Sequence, residues 1–225
     1  MTTSLLPVLA EVLPLALGIA LSPLPLVAGV VVPLSPHGAA RGFALLAGRL
    51  LGVLAVVGVV TALAEYLAEV GGGDASAGVG WARLLLGLVL MVLGVLKWAK
   101  RPRGDDAEKP PRWMASLESL SGPRAFGLGF LLSVANPKEL AFGAGAGLVI
   151  GSSLTGWGPS VAAVAVFGVL ACVTVALPPA AVLFGGERAR PALGEVRRWL
   201  IRNTATISAI VLLFFGAILI SNAFA

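Results

Sequence analysis

Leu84-Leu-Leu-Gly-Leu-Val-Leu-Met-Val-Leu-Gly-Val-Leu96 runs without a single charged side chain. It does not alternate apolar with polar residues, so it is not a strand of an outer-membrane barrel, which alternates over roughly ten positions. In hydrocarbon its backbone N–H and C=O groups can be satisfied only inside a helix. A spanning helix needs roughly 20 apolar residues, and this run is one of several that approach or exceed that length. The pattern predicts helices over residues 8–34, 39–66, 81–99, 126–150, 161–184 and 199–220. Composition agrees. The 225 residues are 58% hydrophobic and 12% charged, about half the charged share of a soluble domain. A soluble chain of this length could not bury that much apolar surface, whereas lipid can cover it.

The charges fix an orientation. Lys97, Lys100, Arg101, Arg103, Lys109, Arg112 and Arg124 fall in the segment 97–124, and Arg188, Arg190, Arg197, Arg198 and Arg202 in 185–202. Arg41 follows the first helix, with Arg49 deeper in the second. The segments on the other side are acidic (65–80) or uncharged (151–160). Of 16 Lys and Arg, 14 lie on one side, which the positive-inside rule makes cytoplasmic. Both termini then face outward. The formal charge of +5 does not point to nucleic acid, because the basic residues sit between apolar runs and form no continuous patch; anionic lipid headgroups suit them better. No Lys or Arg precedes the first apolar stretch, so no signal peptide is expected.

The chain also repeats itself. Leu17-Gly-Ile-Ala-Leu-Ser22 reads like Leu128-Gly-Phe-Leu-Leu-Ser133, and each is followed by proline. Gly52-Val-Leu-Ala-Val-Val-Gly-Val-Val reads like Gly168-Val-Leu-Ala-Cys-Val-Thr-Val-Ala. The third and sixth helices each start near a Trp (Trp81, Trp199) and carry a late Gly (Gly94, Gly216). Shared apolar composition can produce such matches singly; three in the same order argue for duplication. Three helices per half is an odd number, so the halves lie in opposite orientations, as in many transporters. The expected fold is an all-α membrane protein of six transmembrane helices, built as two inverted three-helix repeats. Residues 1–99 form the first repeat, 100–123 a basic, Pro-rich flexible cytoplasmic linker, and 124–225 the second repeat. Trp113, Leu117 and Leu120 share a helical face that suits the inner membrane surface.

Two segments break helical rules in corresponding places. In Ser22-Pro23-Leu24-Pro25 each proline removes a backbone donor. In Ser133-Val-Ala-Asn136-Pro137-Lys138-Glu139 a proline opens the backbone beside an amide, an ammonium and a carboxylate. Freed backbone groups at mid-depth are usable where they line a cavity, although proline kinks also occur as mere packing features. A charge near the bilayer centre costs about 2.5–3.5 kcal/mol on insertion scales, so Lys138 and Glu139 should face a partner, water or a substrate. The candidate substrate-binding residues are therefore Ser22, Pro23, Pro25, Ser133, Asn136, Pro137 and Lys138. Glu139 and Arg49 are the candidate ion-coupling or charge-partner pair, with snorkelling to the cytoplasmic surface as the other reading of Arg49. Glu11 reads as interfacial and His37 as a solvated loop residue. The small-residue rows Gly48/Gly52 and Gly143/Gly147/Gly151 permit close helix packing.

Other chemistries drop out. One His and one Cys make no ordinary zinc or haem site, and no Gly-x-x-x-x-Gly-Lys loop is present for a nucleotide. Neither cofactor, metal nor enzymatic activity is expected, and the single Cys172 argues against a carrier of reducing equivalents, which needs paired cysteines.

Ser22-Pro-Leu-Pro25 in the first helix, with Asn136-Pro-Lys-Glu-Leu140 in the fourth, resembles the lysine exporter (LysE) superfamily. Within it the chain looks most like the GAP family of peptidoglycolipid- and sulfolipid-addressing proteins. The resemblance covers nearly the whole chain; Ser-Pro-Leu-Pro departs from the Pro-Gly-Pro of amino-acid exporters, which weakens an amino acid as substrate. It implies a transporter that moves an envelope glycolipid or lipid-linked precursor across the bacterial cytoplasmic membrane. The alternatives are a LysE-type exporter of a small solute or cation, and a non-transporting partner of a lipid-export machinery. Expected partners are membrane lipids, the glycolipid or small solute itself, a second copy of the chain as a homodimer, and envelope-lipid export proteins. The orientation is testable in a Cys172→Ala background carrying Asp105→Cys. An impermeant thiol reagent added to intact cells should leave position 105 unlabelled and label it after permeabilisation; labelling from outside would overturn the orientation.

Overall fold

Two apolar runs are cut just before a proline, at Pro23 and Pro137, whereas Pro14, Pro33, Pro178 and Pro179 stay inside helices. The computed structural model describes residues 4–35, 38–71, 75–99, 113–154 and 156–221. The first run forms two helices, α1 (Leu5–Ala20) and α2 (Pro23–Leu34), bent by 57° at Leu21 and Ser22. Next come α3 (Gly38–Gly71) and α4 (Ala75–Ala99). A short α5 (Trp113–Glu118) leads into α6 (Gly122–Val134) and α7 (Pro137–Ser153), which are cut apart before Pro137 as α1 and α2 are cut before Pro23. The chain ends with α8 (Trp157–Gly185), a 3-10 turn at Gly186–Arg188 and α9 (Ala189–Ser221). No strand occurs among the described residues.

By length and composition, two stretches among the described residues can cross a membrane, Gly38–Leu67 and Trp157–Ile218, or three when the bent pair α1–α2 counts as one span. This is fewer than the six expected, for physical reasons. At 13 and 17 residues, α6 and α7 are each shorter than the roughly 20 a span requires. The apolar part of α4, Leu84–Ala99, is also short. Trp157–Ile218 counts as one stretch of 62 residues, although a straight helix of that length would measure about 90 Å against a hydrocarbon core of about 30 Å. Gly186, with φ 55°, divides it between α8 and α9.

The helices pack as an inside-out protein. Val59, Leu85, Val169, Leu177 and Phe214 are exposed, an apolar surface that a soluble monomer rarely presents. The interior is apolar too, but close-packed glycines and a few buried polar groups run through it. The Cβ that Gly48 lacks would meet the carbonyl of Phe126, and that of Gly129 the carbonyl of Leu45, so α3 and α6 touch backbone to backbone. The row Gly143, Gly147 and Gly151 of α7 lies against Val56, Val60 and Ala64 of the same α3.

Two apolar clusters form. One contains Val12, Ile19, Val53, Phe142, Phe167, Cys172 and Phe215. The other contains Val27, Val31, Leu45, Ala125, Val175 and Leu200. Along each of α1–α2, α3 and α6–α7 the chain passes from one cluster to the other through a buried polar residue: Ser22, Arg49 and Ser133. A polar layer therefore separates the two apolar ones.

Several expectations need adjustment. Residues 100–112 and His37 lie outside the described residues, but the end of the expected linker is helical: α5 packs on α2 and buries Leu117 in the second cluster rather than laying it on a membrane surface. The last helix starts ten residues earlier than the apolar pattern indicates, because Ala189–Arg198 continues it as a polar helical extension whose backbone bonds to itself with or without lipid. Gly129→Val should lower the melting temperature in detergent by an amount equivalent to about 3 kcal/mol, the upper end of overpacking effects, because backbone rather than a flexible side chain blocks the added methyls. Gly127→Ala, with open space around its Cβ, should leave the melting temperature unchanged within error.

Candidate substrate site at the helix breaks

The break between α1 and α2 leaves carbonyls without their usual donors. Pro23 has no N–H to return to Ile19, and the N–H of Ser22 turns to Ile19 at 3.0 Å instead of Gly18. Three side chains from three other helices take up the exposed oxygens. Lys138 Nζ on α7 donates to the Gly18 carbonyl at 3.1 Å. Arg49 Nη2 on α3 donates to that of Ile19 at 3.1 Å. Thr174 Oγ1 on α8 donates to that of Ala20 at 2.6 Å. Both cations thus sit at the C-terminal, partially negative end of α1.

The second break supplies the complementary end. Asn136 is the N-cap of α7, its side-chain oxygen accepting from the Lys138 N–H at 3.1 Å, and Pro137 holds the first helical position. Glu139, in the first turn, stands at the partially positive end of α7. Its Oε2 accepts from Arg49 Nη1 at 2.9 Å, with both side chains about 1% exposed. Ser133 Oγ at the end of α6 donates to the Arg49 carbonyl at 3.2 Å. Lys138 also lies 5.6 Å above the Phe142 ring, a cation–π geometry. Among the described residues the buried charges are Arg49, Lys138 and Glu139, two cations against one carboxylate.

A cavity of about 530 Å³ adjoins this cluster. Ser22, Pro23, Asn136, Pro137 and Lys138 line it, so five of the sequence-derived binding residues share one space. Pro25 and Ser133 are buried outside its wall. Arg49 and Glu139 lie behind Lys138 and do not reach it. Ser22 Oγ is buried without a hydrogen-bond partner, as are Glu139 Oε1 and Arg49 Nε.

The sequence reading missed the rest of the wall: Thr204 and Ser208 of α9, Lys97 of α4, and an apolar side of Leu24, Leu93, Leu131, Leu132 and Leu212. Two signals were available. Thr204 and Ser208 are spaced to share one helix face, and Thr174 is the one hydroxyl within the apolar run 161–177. No group of metal-ligating side chains gathers among the described residues.

A family model described as "Sap, sulfolipid-1-addressing protein" matches residues 12–225. The chain belongs to this family. The match covers both helix breaks and every residue that lines the cavity. No curated protein and no solved structure matches. A family whose description names a sulfolipid, and a fold that exposes its large apolar side chains, make this a lipid-related membrane protein.

The Arg49–Glu139 pair can be dissected by mutation. Arg49→Met or Glu139→Met strands one buried charge and should each destabilise the protein by about 3–5 kcal/mol. The double variant should recover most of that in a detergent melting curve. Recovery should stop about 1 kcal/mol short, because the Ile19 carbonyl keeps the Ser22 N–H but loses its second donor, Arg49. Additive losses would mean that the pair is not coupled.

Proposed function

We propose that this protein carries an anionic envelope glycolipid across the cytoplasmic membrane by alternating access, with the headgroup held at Lys138. The observation that carries the reading is the two-sided cavity. One side offers an ammonium, an amide and hydroxyls; the other is leucine, and Leu24 and Leu131 on that side are also exposed on the surface that lipid would cover. An amphiphile needs both. The surplus positive charge of the buried cluster suits an anion; the family description names a sulfolipid, and a sulfate or sulfonate headgroup remains ionised throughout the physiological pH range.

In this reading the halves are inverted repeats of six crossings, each broken span counting once. The packing supports it. α3 lies along α6 and α7 as α8 lies along α1 and α2, and α4 pairs with α9. Exchanging the halves exchanges these neighbours. Each break also places a polar cap, Ser22 or Asn136, before a proline-led helix. The LysE superfamily resemblance rests on the same two segments.

With basic segments inside, Lys97 marks the cytoplasmic end of α4, and the cavity opens in the cytoplasmic half. Ile19, Phe142 and Phe215 fill the other half, Phe142 and Phe215 meeting edge to face at 5.1 Å. The chain is then in an inward-facing state, and outward opening separates Lys138 from the Gly18 carbonyl. No covalent step is involved. A small-cation exporter using Glu139 as its ion site is less well supported, since Glu139 does not reach the cavity. A purely assisting role leaves the cavity without a task.

Lys138→Met keeps the length of the side chain and removes its charge. It should lower delivery of sulfate-labelled glycolipid to the cell surface at least tenfold, while stability in a detergent melting curve falls by no more than about 1–2 kcal/mol, because loss of a buried charge offsets the Gly18 carbonyl left without its donor. Lys138→Arg should transport poorly, because a planar fork does not reproduce a compact ammonium. Normal surface delivery by Lys138→Met would overturn the proposal.

A further inference from the structure

A second, smaller cavity of about 270 Å³ has no polar side chain in its wall: Leu24 and Ala28 of α2, Leu128 and Leu132 of α6, and Leu117 of α5. It shares Leu24 and Leu132 with the cavity that holds Lys138. The two spaces are therefore neighbours across a two-residue wall, one amphipathic and one wholly apolar. The smaller one runs between the two helices that each end at a break, α2 leading away from Ser22 and α6 leading up to Ala135. Leu117, one of its lining residues, is 4% exposed and packs in the second apolar cluster.

We infer that this groove receives an alkyl chain of the same lipid whose headgroup occupies the Lys138 cavity. The inference rests on the glycolipid reading above and adds the place of the chain. A headgroup drawn to mid-depth must bring its chain along, and the chain cannot cross the polar wall of Ser22, Asn136, Thr204 and Ser208. It can follow Leu24 and Leu132 into the groove, where every neighbour is aliphatic. Leaving bilayer hydrocarbon for such a groove exchanges one apolar environment for another, so the groove adds little affinity. Its work is to keep the chain out of the polar cavity while the headgroup moves. Continuity with a cationic site selects the chain of an anionic lipid over that of a neutral one.

The test uses the full chain in nanodiscs of phosphatidylcholine and a dodecyl sulfate analogue with a diazirine at the chain end. After photolysis, labelled positions are mapped by peptide mass spectrometry. Label is expected on the peptides that carry Leu117 and Leu128, competed by unmodified dodecyl sulfate. A phosphatidylcholine bearing the same diazirine should label those peptides at least tenfold less. Leu128→Trp fills the groove and Ala28→Leu narrows it from the other side; each should cut groove labelling at least fivefold. Lys138→Met should cut it similarly by removing the headgroup anchor. Labelling that depends on Lys138 but falls on α4 or α9 overturns the groove and leaves the headgroup site standing. Labelling indifferent to Lys138→Met overturns the headgroup site as well. Equal labelling by the phosphatidylcholine probe makes the groove an ordinary bilayer-lipid contact and also overturns the inference. The wild-type map decides the matter even where a groove variant does not fold.

Discussion

The three carbonyls at the broken end of α1 organise this molecule. Gly18, Ile19 and Ala20 present their oxygens between two apolar clusters, where an unpaired backbone acceptor is costly. Lys138, Arg49 and Thr174 reach them from α7, α3 and α8, so a local defect in one helix becomes the meeting point of four. The arrangement also solves the opposite problem. Two cations buried in a membrane helix bundle need acceptors, and the negative end of a half-helix together with Glu139 supplies them.

The same cluster separates structural from exposed chemistry. Arg49 and Glu139 pair through one hydrogen bond behind the wall, while Lys138 faces both a carbonyl and the cavity. A residue held by one backbone oxygen is easier to transfer to a ligand than one held in a salt bridge, because fewer bonds must be replaced. Around it, close helix approach at Gly48 and Gly129 brings α3 near enough for Arg49 to cross to α1. Bulkier residues there would push α3 away from α6 and shift Arg49, the second donor to the Ile19 carbonyl beside the Ser22 N–H.

Much of the site was legible as a violation of rules. Prolines inside apolar runs, and a Lys-Glu pair in a run otherwise free of charge, are conspicuous because hydrocarbon penalises them. Arg49 was harder: its sequence position fits a snorkelling side chain as well as a buried partner, and only the approach of α3 to α7 separates the two. Thr204, Ser208 and the leucines of the wall are ordinary residues for a membrane helix, and their importance comes from which way α4 and α9 turn.

The sequence by itself determined that the chain is helical and suited to lipid, because a backbone without water must bond to itself, and it marked two places where helices break, Ser22-Pro23 and Asn136-Pro137, while Pro14, Pro178 and Pro179 stay inside their helices. The tertiary structure decided what the breaks are for. Which side chains reach the freed carbonyls, which of the charged residues face a cavity, and that an apolar groove lies against that cavity are relations between distant segments, such as Thr174 with Ala20, 154 residues apart. No local pattern encodes such a distance; the close packing of glycine-faced helices does.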